Sequence, residues 1–210
     1  MKRKWLAISF LLSTLFFIAS CGITQELDES LAVSKELNVV IGQQEAILKD
    51  LLKTVEKIEP SFEKDIDAKP KTGLFKEQEG DLYKNFNKRK DLLDELVAGQ
   101  KELKKYQKEI KRISSKEAID VDNDKLKLIS SSLKIIENNY DSLILYMETG
   151  FEQEELLYEN LPVDNLSEQG SIINRTYGSV TMVAEESISN MEYTLNLSKN
   201  FQKQASTTKK

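Results

Sequence analysis

Apolar residues recur along most of this chain in alternating steps of three and four, the spacing that lines one face of an α-helix. In the first run Leu27, Leu37, Ile41, Leu48, Leu51, Val55, Ile58 and Phe62 mark the stripe, with Ser30, Ser34 and Gln44 where apolar residues fall due. Leu31, Val40, Ile47 and Leu52 widen it into a core-facing surface. The spacing predicts a helix from about Thr24 to about Glu59, ended or kinked by Pro60. The stretch Asp65 to Gly73, with Pro70 and Gly73, reads as a connection.

A second run, Leu82, Phe86, Leu93, Leu96, Leu103, Tyr106, Ile110 and Ile113, predicts a helix from about Leu74 to about Ser114. Gln100 and Gln107 are polar positions on its stripe, and the polar stretch Ser115 to Asn123 ends it. The third pattern is the cleanest: Leu126, Ile129, Leu133, Ile136, Tyr140, Leu143 and Met147, continued by Phe151, Leu157 and Leu161 up to Pro162. The fourth uses Leu166, Ile173, Tyr177, Val180, Ala184, Met191, Leu195 and Phe201, starting near the capping candidates Asp164 and Asn165. Gly170 and Gly178 weaken its first half.

Four long amphipathic segments with short links imply antiparallel neighbours. The expected fold is all-α, an elongated up-and-down four-helix bundle with helices of about 50 Å each at 1.5 Å per residue. The alternative is a three-helix core with a loosely docked fourth helix. Only three prolines and eight glycines occur in 210 residues, and no strand pattern competes.

The first residues follow a different rule. Lys2, Arg3 and Lys4 form a basic start, and Trp5 to Ala19 is an apolar run only about 20 Å long as a helix, with no basic cluster after it. This reads as a secretory signal over residues 1–20. It ends in Ile18, Ala19, Ser20 and Cys21, where small residues suit an extended chain in a peptidase groove and the thiol can accept a diacylglyceryl group. Cys21 is the chain's one cysteine, so no disulfide is available. The expected mature protein is a single helical domain over residues 21–210, held by lipid on Cys21 at the extracytoplasmic face of the cell membrane.

The lipobox Ile18 to Cys21, the Leu, Lys and Glu-rich helices and the overall length resemble the YkyA-type family of cell-wall-binding lipoproteins from Gram-positive bacteria. The resemblance implies a helical up-and-down bundle, a lipidated Cys21, and cell-wall polymer or an envelope protein as partner. It brings no catalytic motif.

Charge and missing residue types narrow the chemistry. Without the three basic signal residues, 27 Lys and Arg stand against 35 Asp and Glu, a net charge of −8, which disfavours nucleic acid as a partner. The chain has no His, so Ser-His-Asp and Cys-His catalysis, His-ligated metals and the di-iron bundle motif are closed to it. No catalytic residue, metal ligand or cofactor is expected. Against the acidic background, Lys101, Lys104, Lys105, Lys108, Lys111, Arg112 and Lys116 stack mostly on one side of helix two. An up-and-down course places that side near the lipidated end, beside the tail Lys203, Lys209 and Lys210, as a candidate face for anionic wall polymer or lipid headgroups. A plain solvated helix face is the competing reading. The acidic cluster Glu148, Glu152, Glu154 and Glu155 lacks the glycine and alternating oxygen ligands of a calcium loop and reads as solvated. Tyr83, Phe86, Tyr140 and Tyr177 could stack on glycan rings, but helical spacing puts most of them on the buried stripes. Glycosidic cleavage by carboxylates alone, or regulation of an enzyme that performs it, is the alternative to a binding role. It requires a cleft that keeps one acid protonated.

Overall fold

The computed structural model describes the backbone of residues 2–68, 75, 76 and 78–208, and the side chains of residues 25–67, 75, 76 and 78–206. The chain forms α1 (Lys2–Val55), α2 (Ile58–Ala68), α3 (Gly80–Ser114), α4 (Asn123–Glu159) and α5 (Leu166–Thr208), with no strand among the described residues. The four long helices close a ring in which α1 packs on α3, α3 on α4, α4 on α5 and α5 on α1, while α2 packs on α3. This is the expected up-and-down bundle. The fourth long helix is fully part of it: α5 buries Ile173, Tyr177, Val180, Ala184, Met191 and Phe201 and packs on both α4 and α1.

The stripes read from sequence are the core. Every apolar position from Leu126 to Met147 named above is at most 1% exposed. The polar residues interrupting the stripes are absorbed rather than displayed. Ser30 and Ser34 donate to the carbonyls of Leu27 and Leu31 one turn back, and Gln44 accepts from the Tyr140 hydroxyl at 3.0 Å. Gln44 also fills the space over Gly99, where a Cβ would meet its amide carbon at 2.0 Å. Gln100 donates to Asp141 and Gln107 to Ser130, both across the α3–α4 seam.

Several boundaries differ from expectation. α1 is helical from Lys2, so Thr24 is no boundary; nothing between Trp5 and Thr24 breaks a helix, and Gly22 costs only about 1 kcal/mol. Its side chains before Gln25, the lipobox Ile18 to Cys21 included, lie outside the described residues. Pro60 does end the first helix, but not at Glu59. The break falls earlier, at Glu56 and Lys57, and Pro60 sits in the first turn of α2. A proline clashes with the carbonyl four residues before it and has no N–H to give. The helix must therefore open near residue 56, and the first turn of a new helix tolerates the proline.

The stretch from Asp65 is likewise not all connection, since α2 runs to Ala68; Pro70, Gly73 and Leu74 lie outside the described residues. Asp65 has a definite task. Its two carboxylate oxygens accept from the backbone N–H groups of Asp81 (3.2 Å) and Leu82 (2.8 Å), capping α3 from another helix. Glu79, the residue at the usual capping position, makes no side-chain cap. Gly80, at φ +94°, is required there: its backbone is in the left-handed region, and a Cβ would lie 2.4 Å from Asp65 Oδ2. Lys64 pairs with Asp81 beside it. These contacts hold α2 against α3.

Candidate functional site

Three features were candidates for chemistry: the interior of the end where α1 gives way to α2, a groove at that same end, and the lysine-rich side of α3. The first was not foreseen. Arg89 of α3 and Glu154 of α4 are both 0% exposed and form a bidentate pair, Nη1 to Oε1 at 2.6 Å and Nη2 to Oε2 at 2.8 Å. Arg89 Nη1 also donates to the Tyr177 hydroxyl of α5, and Nε donates to Asn85 Oδ1 at 2.7 Å. Asn85 Nδ2 in turn donates at 2.8 Å to the Thr54 carbonyl near the end of α1, which also accepts from the Lys57 N–H at 3.2 Å. One connected network therefore reaches all four long helices.

Aromatic rings box the guanidinium in, with its carbon 4.8 Å from the Tyr177 ring centre, 5.6 Å from Phe151 and 5.8 Å from Phe86. Burial opposes the charge on Arg89. The hydrogen bonds and charge of Glu154 outweigh it, so the guanidinium pKa stands above its ordinary value. Burial first, and then the Glu154 charge, push the Tyr177 hydroxyl far up and keep it protonated. The result is a saturated ion pair with no free acid or base. The reading of Glu154 as solvated is thus overturned, because it alone of its cluster points inward at the level of a buried arginine. Its neighbour Glu155 does face solvent, paired with Lys90.

Above this layer lies a groove of about 810 Å³ between α2, α4 and α5. Ile58, Phe62, Leu157, Tyr158 and Ile173 form its apolar wall; Ser167, Ser171, Asn174, Arg175 and Ser179 of α5 and Glu59 of α2 add the polar side. It exists because α1 ends at Val55 and the chain turns to α3, leaving the start of α5 without the neighbour α1 provides lower down. Gly170 and Gly178 line it, and a Cβ on either would point into open space. Phe62 stacks on Tyr158, centres 5.4 Å apart, and Phe75 packs edge-on to the same ring. Glu59 is the one carboxylate lining the groove among the described residues. No grouping of His, Cys, Asp or Glu able to hold a metal occurs among the described residues.

All seven basic residues singled out, six on α3 and Lys116 just after it, are exposed, but they divide into two sets. Lys116 binds Glu26 and Arg112 binds Glu29, fixing the end of α3 beside residues 26–29 of α1, as the up-and-down course requires. Lys104 binds the nearly buried Glu137 of α4 at 2.6 Å, which with Lys134 holds that carboxyl below its usual range. Lys101, Lys105, Lys108 and Lys111 make no ion pair among the described residues. Lys101, Lys105 and Lys108 line a shallow open depression of about 580 Å³ together with Lys104, Glu109 and Arg112. Lys203 is exposed near the same end, and Lys209 and Lys210 lie outside the described residues. No helix among the described residues is long and apolar enough to cross a membrane. Compared with models of protein families, with curated proteins and with solved structures, the chain matches none.

Proposed function

We propose that this chain is an exported, lipid-anchored, non-enzymatic binding protein of the cell envelope. In this reading Cys21 tethers it to the outer face of the membrane and α3 engages an anionic wall polymer. The observation that carries the binding role is the row Lys101, Lys105, Lys108 and Lys111: exposed cations without ion-pair partners among the described residues, on a chain of net negative charge. Cations already matched by Glu26, Glu29 and Glu137 serve the bundle; those left over are open to a polyanion. The pairing of α3 with residues 26–29 of α1 puts the row about 15–30 Å along the helix from Cys21, at 1.5 Å per residue. With the bundle axis upright, that exceeds the ~8 Å screening length at physiological salt, which favours polymer above the membrane over lipid headgroups.

The non-catalytic part rests on donor sets. Wall-glycan hydrolysis needs two carboxyl groups across the scissile bond, whereas among the described residues the distal groove is lined by one, Glu59, and Glu154 is committed to Arg89.

The test is co-sedimentation of residues 22–210 with purified walls, before and after removal of their phosphate-rich polymers, across a salt series. Binding should fall on stripping and with rising salt, and Lys105→Glu with Lys108→Glu should weaken it. Binding indifferent to stripping, or none at any salt, would overturn the polymer reading.

A further inference from the structure

The bundle's outer surface is chemically lopsided. Seven of the nine exposed large apolar side chains found among the described residues lie on α4 and α5, and none lies on α3. The α4–α5 seam is located by Ser132 to Thr194, Gln153 to Thr176 and Lys125 to Gln204 contacts. Along its outer edge α4 presents Leu128, Ser131, Ile135, Asn138, Ser142 and Tyr146 at three-and-four spacing, a run with no charge. The facing edge of α5 presents Ser179, Met182, Ser189, Tyr193 and Asn200 and has two charges, Arg175 and Glu186. In a chain that is 31% charged, this strip stands apart. The seam contacts set Ile135 level with Tyr193, and Tyr146 level with Met182. Ile135, Met182 and Tyr193 are 48%, 62% and 54% exposed.

We propose that the α4–α5 strip is a self-association surface whose partner is a second copy of this chain. The charge pattern selects that occupant. Two copies meeting through one patch set that patch against itself about a two-fold axis, so a face of one charge sign repels itself while a neutral one does not. The basic row Lys101, Lys105, Lys108 and Lys111 of α3 fails this condition and the α4–α5 side meets it. The size is adequate: Leu128 to Gln153 spans about 38 Å, and two helices about 10 Å apart with their flanks give about 20 Å of width, near the ~800 Å² per partner of a standard interface. Ser, Asn and Tyr around Ile135 and Met182 supply the polar rim about an apolar centre. Because α4 and α5 form the side of the ring opposite α1 and α3, pairing leaves the lysine row of each copy facing outward.

The experiment places a photo-crosslinking benzoylphenylalanine at position 193 or, as control, 105 in the full chain, co-expressed with a differently tagged copy in its own membrane. Irradiation should give an adduct of twice the chain mass containing both tags from position 193 and little from 105. Ile135→Glu, at a half-exposed site that the fold does not need to be apolar, should lower its yield at least about tenfold by setting like charges against each other. An adduct of another mass, no adduct from 193, or equal self-adducts from 105 would each overturn the proposal.

Discussion

The two halves of this one core differ in what most of their buried polar groups depend on, although Ser132 to Thr194 and Ser198 to the Ser34 carbonyl also cross helices in the first. In the half nearer the chain start, the buried hydroxyls of Ser30, Ser34, Ser187 and Thr194 donate to carbonyls three or four residues back in their own helices. Each is satisfied before the helices meet, so burying it costs little and constrains little. In the other half, Arg89 finds its partners on two other helices, Glu154 on α4 and Tyr177 on α5, and depends on a third helix, α1, through Asn85. None of that can form until the bundle has assembled. A polar group satisfied within its own helix leaves register open; one satisfied across several helices fixes it and exacts a heavy penalty when broken.

That contrast can be broken most sharply at the ion pair. Glu154→Leu strands a buried guanidinium and should lower unfolding free energy by about 3–5 kcal/mol, whereas adding Arg89→Met should recover most of the loss. Denaturant titration of both variants checks this; additive losses would show that the residues do not act as a unit. A middle-sized effect is expected where the two regimes meet. Gly99→Ala drives a methyl into the Gln44 amide, which is held by Tyr140, and should cost about 1–3 kcal/mol by the same measurement. The smallest loss belongs to the self-satisfied half. Ser132→Ala removes a 2.6 Å contact to Thr194, but Thr194 still donates to the Asn190 carbonyl, so the cost should stay near 1 kcal/mol. A loss there as large as that of Glu154→Leu would erase the distinction.

The same division explains what could be read in advance. The α4 stripe from Leu126 to Met147 was legible because helical period alone decides which side of a long amphipathic segment is buried. Arg89 and Glu154 were missed because charged residues are almost never fully buried without a partner, and the partner lies on another helix. A faint signal did exist. Both occupy vacancies in apolar stripes, Arg89 between Phe86 and Leu93 and Glu154 between Phe151 and Leu157, and antiparallel pairing of α3 with α4 sets these opposite charges level. Asp65 left no such mark, since a carboxylate capping another helix has no fixed spacing to the helix it caps.

Local order, then, was written in the chain: four amphipathic helices, the lysine-rich side of α3 and a break caused by Pro60 follow from periods and backbone sterics acting over a few residues, although the break falls at residues 56 and 57 and not at Glu59. Assembly alone decided which basic residues Glu26, Glu29 and Glu137 would claim, that Asp65 would draw α2 to α3, and that Glu154 would be buried. Each of these depends on the energy of a contact between residues far apart in sequence, and such a contact has no value until packing brings both partners together.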